Sequence, residues 1–230
     1  MILGVIGGMG PLATCTFFEQ VIRLTKADKD QEHIHIIIDN NTNIPDRTDY
    51  ILGKGLDPRP ELIRSAVKLE SMGAEYIAIP CNTAHYFYED IVKFTKAKVL
   101  NMIEETAAHL KANYKDQKDF LLLATRGTYE AKIYKKVFNR YQLNIIEPDE
   151  KDKDKIMGWI YGVKSSVFDV TAKDFEVLIN KYNHDENIPV ILGCTELSTL
   201  AEMIKISRNY VDPLYILAQR CVQIHIEKKK

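Results

Sequence analysis

An apolar run that breaks at a cysteine occurs twice in this chain, and the repeat constrains the fold more than any other feature. Ile77-Ala78-Ile79 stops at Pro80 and hands over to Cys81-Asn82-Thr83-Ala84-His85, while Pro189-Val190-Ile191-Leu192-Gly193 hands over to Cys194-Thr195-Glu196. Short apolar runs bounded by Pro or Gly read as buried strands. The residues that follow read as a helix start, because Asn82 or Thr83 brings a side-chain oxygen to the unpaired first-turn N–H groups. A second pair of stretches, 2–8 and 120–127, also matches as strand, glycine-containing turn and helix. The offset between partners is nearly the same in both pairs. The chain therefore reads as two similar units in tandem.

Between these anchors strands and helices alternate. Strands are expected at 2–6, 34–38, 76–79 and 98–100, then at 120–124, 143–146 and 190–192. A helix opens at Pro11 with Phe17, Val21, Ile22 and Leu24 on its apolar face, proline being suited to a first turn. Residues 61–72 carry Leu62, Ala66, Leu69 and Met72 at helical spacing, with Gly73 as the stop. Further helices are expected at 84–95, 103–110, 129–138, 154–161 and 173–182, and from Asp212-Pro213 to about residue 226. Residues 42–60 read as a loop. Such alternation argues for an α/β fold with two pseudo-symmetric lobes, each a short, mostly parallel sheet flanked by helices. The active site is expected in the cleft between them, at the C-terminal ends of the strands. The first lobe takes in 1–99 and 208–230, with the last helix packing back on it, and the second takes in 100–207.

At 230 residues the chain can bury a sizeable core. Its net charge of -1 lacks the basic excess of a nucleic-acid footprint. No apolar stretch approaches the roughly 20 residues that span a bilayer. The N-terminus runs straight into Gly7-Gly8 without a signal-peptide plan. The expected location is the cytoplasm, where four widely spaced cysteines stay reduced. Cys15 and Cys221 read as small hydrophobes on helices.

The N-terminal glycines invite another reading. Gly8-Met9-Gly10-Pro11-Leu12-Ala13 fits G-x-G-x-x-A, with Asp39 as a ribose acid. Pro11 removes an N–H where a pyrophosphate needs donors, Asp39 lies too far along the chain, and both cysteine turns are left unexplained. A tight strand-to-helix turn accounts for the glycines.

Cys81 and Cys194 differ from the other cysteines because each holds the same place in a matching unit. At an exposed helix N-terminus a thiol is expected to ionise below its usual value of about 8.5. Cys81 with His85, or Cys194 with His184, could serve as metal ligands, but no C-x-x-C or H-x-x-x-H pair supports this. Two thiols on opposite faces of one carbon explain the pair. One removes a proton from Cα as thiolate, and the other delivers a proton to the opposite face. Donors from Asn82, Thr83, Thr195 and helix N-termini suit the carboxylate that takes up the charge.

Taken together, Gly7-Gly8-Met9-Gly10-Pro11-Leu12-Ala13-Thr14, Pro45-Asp46-Arg47, Pro80 to His85 and Gly193-Cys194-Thr195-Glu196-Leu197 resemble the cofactor-independent aspartate/glutamate racemase family, closest to its aspartate racemase branch. The resemblance covers essentially the whole chain. It implies racemisation of aspartate, with glutamate as the alternative, in a homodimer that uses neither pyridoxal phosphate nor a metal. Cys81 and Cys194 become the acid/base pair. Asn82, Thr83 and Thr195 are assigned to the α-carboxylate, and Arg47 and Lys164 to the substrate's carboxylates. Thr128 contacts substrate from the matching turn, and Gly8, Met9 and Glu196 support the site. The glutamate branch places a histidine where this chain has Glu196, which favours aspartate. Rival readings are a related enzyme such as a maleate isomerase or decarboxylase, and a non-catalytic protein that binds acidic amino acids. His85 has no assigned role.

Overall fold

Each half of the chain folds around its own four-stranded parallel sheet. The computed structural model describes residues 1–183, 188–206 and 210–229. The first sheet contains β1 (Ile2–Gly7), β2 (His35–Asn40), β3 (Tyr76–Ala78) and β4 (Lys98–Val99), in the order β2-β1-β3-β4. The second contains β5 (Asp119–Ala124), β6 (Asn144–Ile146), β7 (Val190–Gly193) and β8 (Tyr210–Val211), in the order β6-β5-β7-β8. The two orders are the same, and every pairing is parallel. Ile77 lies between Gly4 and Val99, as Ile191 lies between Leu122 and Val211. Cys81 and Cys194 thus follow equivalent interior strands, as the internal match requires.

Eleven α-helices are described: α1 (Pro11–Leu24), α2 (Arg47–Ile51), α3 (Arg59–Ser71), α4 (Tyr88–Val92), α5 (Met102–Asn113), α6 (Arg126–Ala131), α7 (Ile133–Arg140), α8 (Glu150–Ser165), α9 (Ala172–Tyr182), α10 (Thr195–Met203) and α11 (Pro213–Lys229). They cover both faces of each sheet, which explains why the strands are apolar throughout rather than alternating. Along β5, Phe120 and Leu122 pack with α5 and α7, while Leu121 and Leu123 pack with α8, α9 and α10. Along β1, Leu3 and Val5 face α1 and α11, and Ile6 joins Leu62 and Leu69 of α3 on the other side. This is the two-residue period of a strand sandwiched between helices. The C-terminal helix α11 returns across the chain to the first sheet, while β8 just before it belongs to the second. None of these helices is long and apolar enough to cross a membrane.

Several elements depart from expectation. The 42–60 loop contains α2, a single turn capped by Asp46, whose carboxylate accepts from the N–H groups of Thr48 at 2.8 Å and Asp49 at 3.0 Å. An element so short has no hydrophobic period to read. The expected 84–95 helix is a 3-10 turn, Thr83–Phe87, followed by α4. The expected 129–138 helix breaks at Lys132, whose φ of 53° is left-handed. Met72 and Ile22 lie outward, 55% and 40% exposed. Cys15 is exposed, unlike buried Cys221, because its position on α1 turns away from the sheet.

Candidate active site

The C-terminal ends of the two sheets face one narrow slot, lined by Cys81, Asn82 and Thr83 from one side and Cys194, Thr195 and Glu196 from the other. Met9, Asp46, Arg47, Thr48, Thr125 and Lys164 complete it. Its open volume is about 10 Å³, room for roughly one water. A wider cleft of about 480 Å³ adjoins it and shares Met9, Asp46, Arg47, Lys164 and Glu196. The cleft is floored by Gly8 and the residues that follow it to Ala13, and walled by Ile44 and Val163. Both cysteines line the slot and neither lines the cleft.

The cysteines are buried, each 6% exposed, where an exposed position was expected. The strands that carry them lie in the middle of their sheets, and the opposing turns cover them. Their neighbours differ. Cys194 is the N-cap residue of α10, and its thiol donates to Glu196 Oε2 at 2.9 Å. Burial pushes the Cys194 thiol well above its ordinary range, and the Glu196 charge pushes it further, against Lys164 and the Glu196 backbone N–H. The expected lowering by the helix N-terminus is therefore outweighed: burial and an adjacent carboxylate both disfavour the anion. Cys81 has a cation as its neighbour instead. Burial opposes the Arg47 charge, but Cys81, Asp46 and Glu196 together raise the guanidinium above its usual value.

Arg47 is 7% exposed and tied to the backbone around it. Nη1 donates to the Ile44 and Pro45 carbonyls at 3.3 and 3.0 Å, and Nη2 to the Met9 carbonyl at 3.2 Å. Nε is buried without a partner. Nη1 is saturated and the guanidinium also meets the Cys81 thiol, so Nε is the donor left without a partner. Lys164, from the last turn of α8, stands 3.9 Å from Asp46. Burial works against its charge, yet Glu196, Cys194 and Asp46 raise it overall. Asp46 is itself lowered despite burial, by the N–H groups of Asp49 and Thr48 and by Lys164 and Arg47.

Hydroxyls make a bridge between the lobes. Thr83 Oγ1 lies 3.0 Å from Thr125 Oγ1 and 3.1 Å from Thr128 Oγ1, and Thr125 donates to Thr128 at 3.1 Å. Three hydroxyls in a ring use all three of their protons on one another. Thr195 donates to Glu196 at 3.3 Å. Asn82 is different: its Oδ1 accepts from the Tyr134 hydroxyl at 2.5 Å, while its Nδ2 is buried without a partner. Among residues that line the slot, the buried donors without a partner are thus Asn82 Nδ2 and Arg47 Nε.

Two other expectations resolve locally. His85 Nδ1 donates to the Cys81 carbonyl at 2.9 Å and Nε2 accepts from the Met102 N–H at 3.0 Å. With both nitrogens engaged it has no lone pair for a metal; it pins the Cys81 turn to the start of α5. His184 lies outside the described residues. In the glycine loop, Gly8 adopts a φ of +88°, and an added Cβ would sit 2.5 Å from the Asn41 backbone. Its N–H binds Thr14 Oγ1 at 3.0 Å, and Asp39 pairs with Lys68 at 3.0 Å. The loop holds itself and approaches a neighbouring strand end, as a structural turn does.

With that geometry in place, comparison with known proteins identifies the class. The chain belongs to the Asp/Glu/Hydantoin racemase family, whose sequence model matches residues 6–221, and it is accordingly an isomerase. It is 28% identical to the "Broad specificity amino-acid racemase RacX" of Bacillus subtilis (strain 168), over 97% of this chain and 98% of that one. It is similar to the Picrophilus torridus aspartate racemase structure at 32% identity and a TM-score of 0.81, covering 97% of this chain and 94% of that one. An aspartate racemase homologue from Pyrococcus horikoshii OT3 shares the fold, with a TM-score of 0.74 at 23% identity over 97% and 98% of the two chains.

Every site residue read from the sequence except Thr128 lines the slot or the adjoining cleft, and buried Thr128 reaches the slot only through the hydroxyls of Thr83 and Thr125. Asp46, Thr125 and Tyr134 were not singled out. Asp46 carried a signal as a capping residue just before Arg47. Thr125 carried the same signal, as the residue that caps α6 through the Thr128 N–H at 3.1 Å, while Tyr134 carried none, because its contact crosses between lobes.

Proposed function

We propose that this protein interconverts L- and D-aspartate by a two-base mechanism carried by Cys81 and Cys194. The observation that supports it most is the placement of both thiols on one slot with opposite electrostatic partners. Cys81, beside the Arg47 guanidinium, acts as thiolate and takes the proton from Cα. The C–H electron pair moves into the α-carboxylate, which becomes an enediolate held by Asn82 Nδ2 and Arg47 Nε. Cys194, as thiol, gives its proton to the opposite face, and Glu196 and Lys164 flank the thiolate that remains. The roles exchange in the reverse direction. Thr83, Thr128 and Thr195 turn a hydroxyl to the carboxylate when it enters and their present hydrogen bonds open. Lys164 meets the side-chain carboxylate, and Gly8 and Met9 shape the entrance. No resident cofactor or metal enters the scheme. We further propose a homodimer in the cytoplasm, each protomer divided into the lobes 1–99 with 208–230 and 100–207, with β8 crossing that division to complete the second sheet.

The test is chiral separation of products from L-aspartate with no cofactor added. Wild type forms D-aspartate, and Cys81→Ser and Cys194→Ser each lower the rate at least about 100-fold, the usual scale for a positioned acid or base. Full racemisation by either variant contradicts the two-base scheme and favours a single-thiol reaction such as an isomerase or decarboxylase of related type.

A second reading extends the substrate to other amino acids. The cations Arg47 and Lys164 are already faced by Asp46 and Glu196, so the site is close to charge-neutral, and the adjoining cleft of about 480 Å³ exceeds what aspartate needs. Relative kcat/KM for aspartate, glutamate and neutral amino acids decides between the two.

A further inference from the structure

Tyr134 is a first-lobe contact made from the second lobe. It lies on α7, 1% exposed, and its ring packs 5.5 Å from Phe138. Its hydroxyl reaches across to the Asn82 amide at 2.5 Å. Two orientations of that amide are conceivable, and hydrogen-bond accounting separates them. With Oδ1 toward Tyr134, the phenol proton has an acceptor, and Nδ2 is presented to the slot with both hydrogens free. With Nδ2 toward Tyr134, the phenol proton is left without an acceptor in a buried site, and the slot receives a second oxygen. The first satisfies Tyr134 within the protein and leaves only Nδ2 orphaned. A buried amide nitrogen without a partner is costly to keep unless a ligand pairs with it.

We propose that Tyr134 is a positioning residue for substrate recognition: its hydroxyl locks the Asn82 amide so that Nδ2 faces the carboxylate of the amino acid in the slot. This rests on the racemase reading above. Burial pushes the Tyr134 phenol well above its ordinary range, so it remains a donor at every working pH. The lock also links the lobes, because it holds only while α7 and the Cys81 turn stay in contact. Tyr134 never touches the reacting atoms; it acts through Asn82.

The experiment is a double-mutant cycle of Tyr134→Phe and Asn82→Ala. It is read by KM and kcat for L-aspartate racemisation and, independently of turnover, by calorimetric binding of L-aspartate. Tyr134→Phe keeps the ring packing but leaves Asn82 Oδ1 without its donor, so the protein folds with a melting temperature lowered by roughly 2–8 °C. Its KM and Kd rise about ten-fold, the scale of one hydrogen bond to a charged group, with a smaller change in kcat. Asn82→Ala weakens binding at least as much, and the double variant matches Asn82→Ala alone, because Tyr134 has nothing left to orient. Tyr134→Phe with unchanged KM and Kd, or losses that multiply in the double variant, overturns the proposal while the racemase reading stands. A wild-type protein that neither racemises nor binds aspartate overturns that reading and this proposal with it.

Discussion

Cys81 and Cys194 occupy equivalent places in equivalent sheets, yet their immediate surroundings break the symmetry. Cys194 donates its proton to Glu196 in a buried setting, whereas Cys81 sits beside the Arg47 guanidinium. Burial and the Glu196 charge thus hold Cys194 as the thiol, while Cys81 has a cation beside it. Glu196 is the residue through which this asymmetry can be altered. Glu196→Gln removes the charge that helps to raise the Cys194 thiol while keeping an oxygen for the hydrogen bond. Absorbance titration of the thiolate should then show Cys194 ionising at lower pH than in wild type, and kcat should fall about ten-fold as the acid and base lose their distinction. An unchanged titration would mean that burial alone sets this thiol. The pairing of the cysteines was legible from sequence because the repeat itself was legible. Their unequal environments were not, because Arg47 lies far from Cys81 in sequence and reaches it only through the fold.

At the scale of elements, strand-to-helix turns carry the site and helix caps hold them. Asp212 shows how. It caps α11 through the Leu214 N–H at 2.9 Å and accepts from Ser198 of α10 at 2.8 Å, joining the helix that starts beside Cys194 to the one that returns to the first sheet. Burial raises its carboxyl to about 6, against the hydrogen bonds from Ser198, Leu214 and Tyr215. In the unfolded chain the same group titrates near 3.9. Between those values the folded state binds the proton and the unfolded state does not, so this group's contribution to stability falls as pH rises from about 4 to about 6. The slope is at most about 1.4 kcal/mol per pH unit. Asp212→Asn should flatten that part of the profile in urea unfolding at pH 4, 5, 6 and 7; a profile that keeps its wild-type slope would show that another group is responsible. His85 acts in the opposite sense, since burial lowers its pKa and stability is lost as pH falls below about 6.5. Element types were readable wherever apolar runs were long or caps were plain, as at Pro11 and Asp212-Pro213. The one-turn helix α2 and the break at Lys132 were not, because a single turn shows no period and a left-handed lysine leaves no mark in sequence.

The whole molecule adds what neither lobe has alone. The Thr83, Thr125 and Thr128 hydroxyl ring, the Tyr134–Asn82 bond and the contact of Gly127 with Thr48 all cross between lobes. At Gly127 an added Cβ would lie 2.8 Å from Thr48 Cα, so only glycine allows the α2 and α6 backbones this close. These contacts close the slot to about 10 Å³, too little for an amino acid. If aspartate occupies the slot as proposed, the lobes part to admit it and the hydroxyl ring opens toward its carboxylate. Two matching lobes around a cleft followed from the sequence pattern; how tightly they meet did not, because the contacts pair residues from separate units. The central claim is that a proton leaves Cα to one cysteine and another arrives from the second. Incubation of L-aspartate with the protein in D₂O, followed by mass and chiral analysis, tests it most directly. The account predicts D-aspartate carrying one deuterium at Cα, formed no slower than exchange appears in the L-enantiomer. Folded protein that leaves the Cα hydrogen of aspartate in place, with no D-aspartate formed, would contradict it.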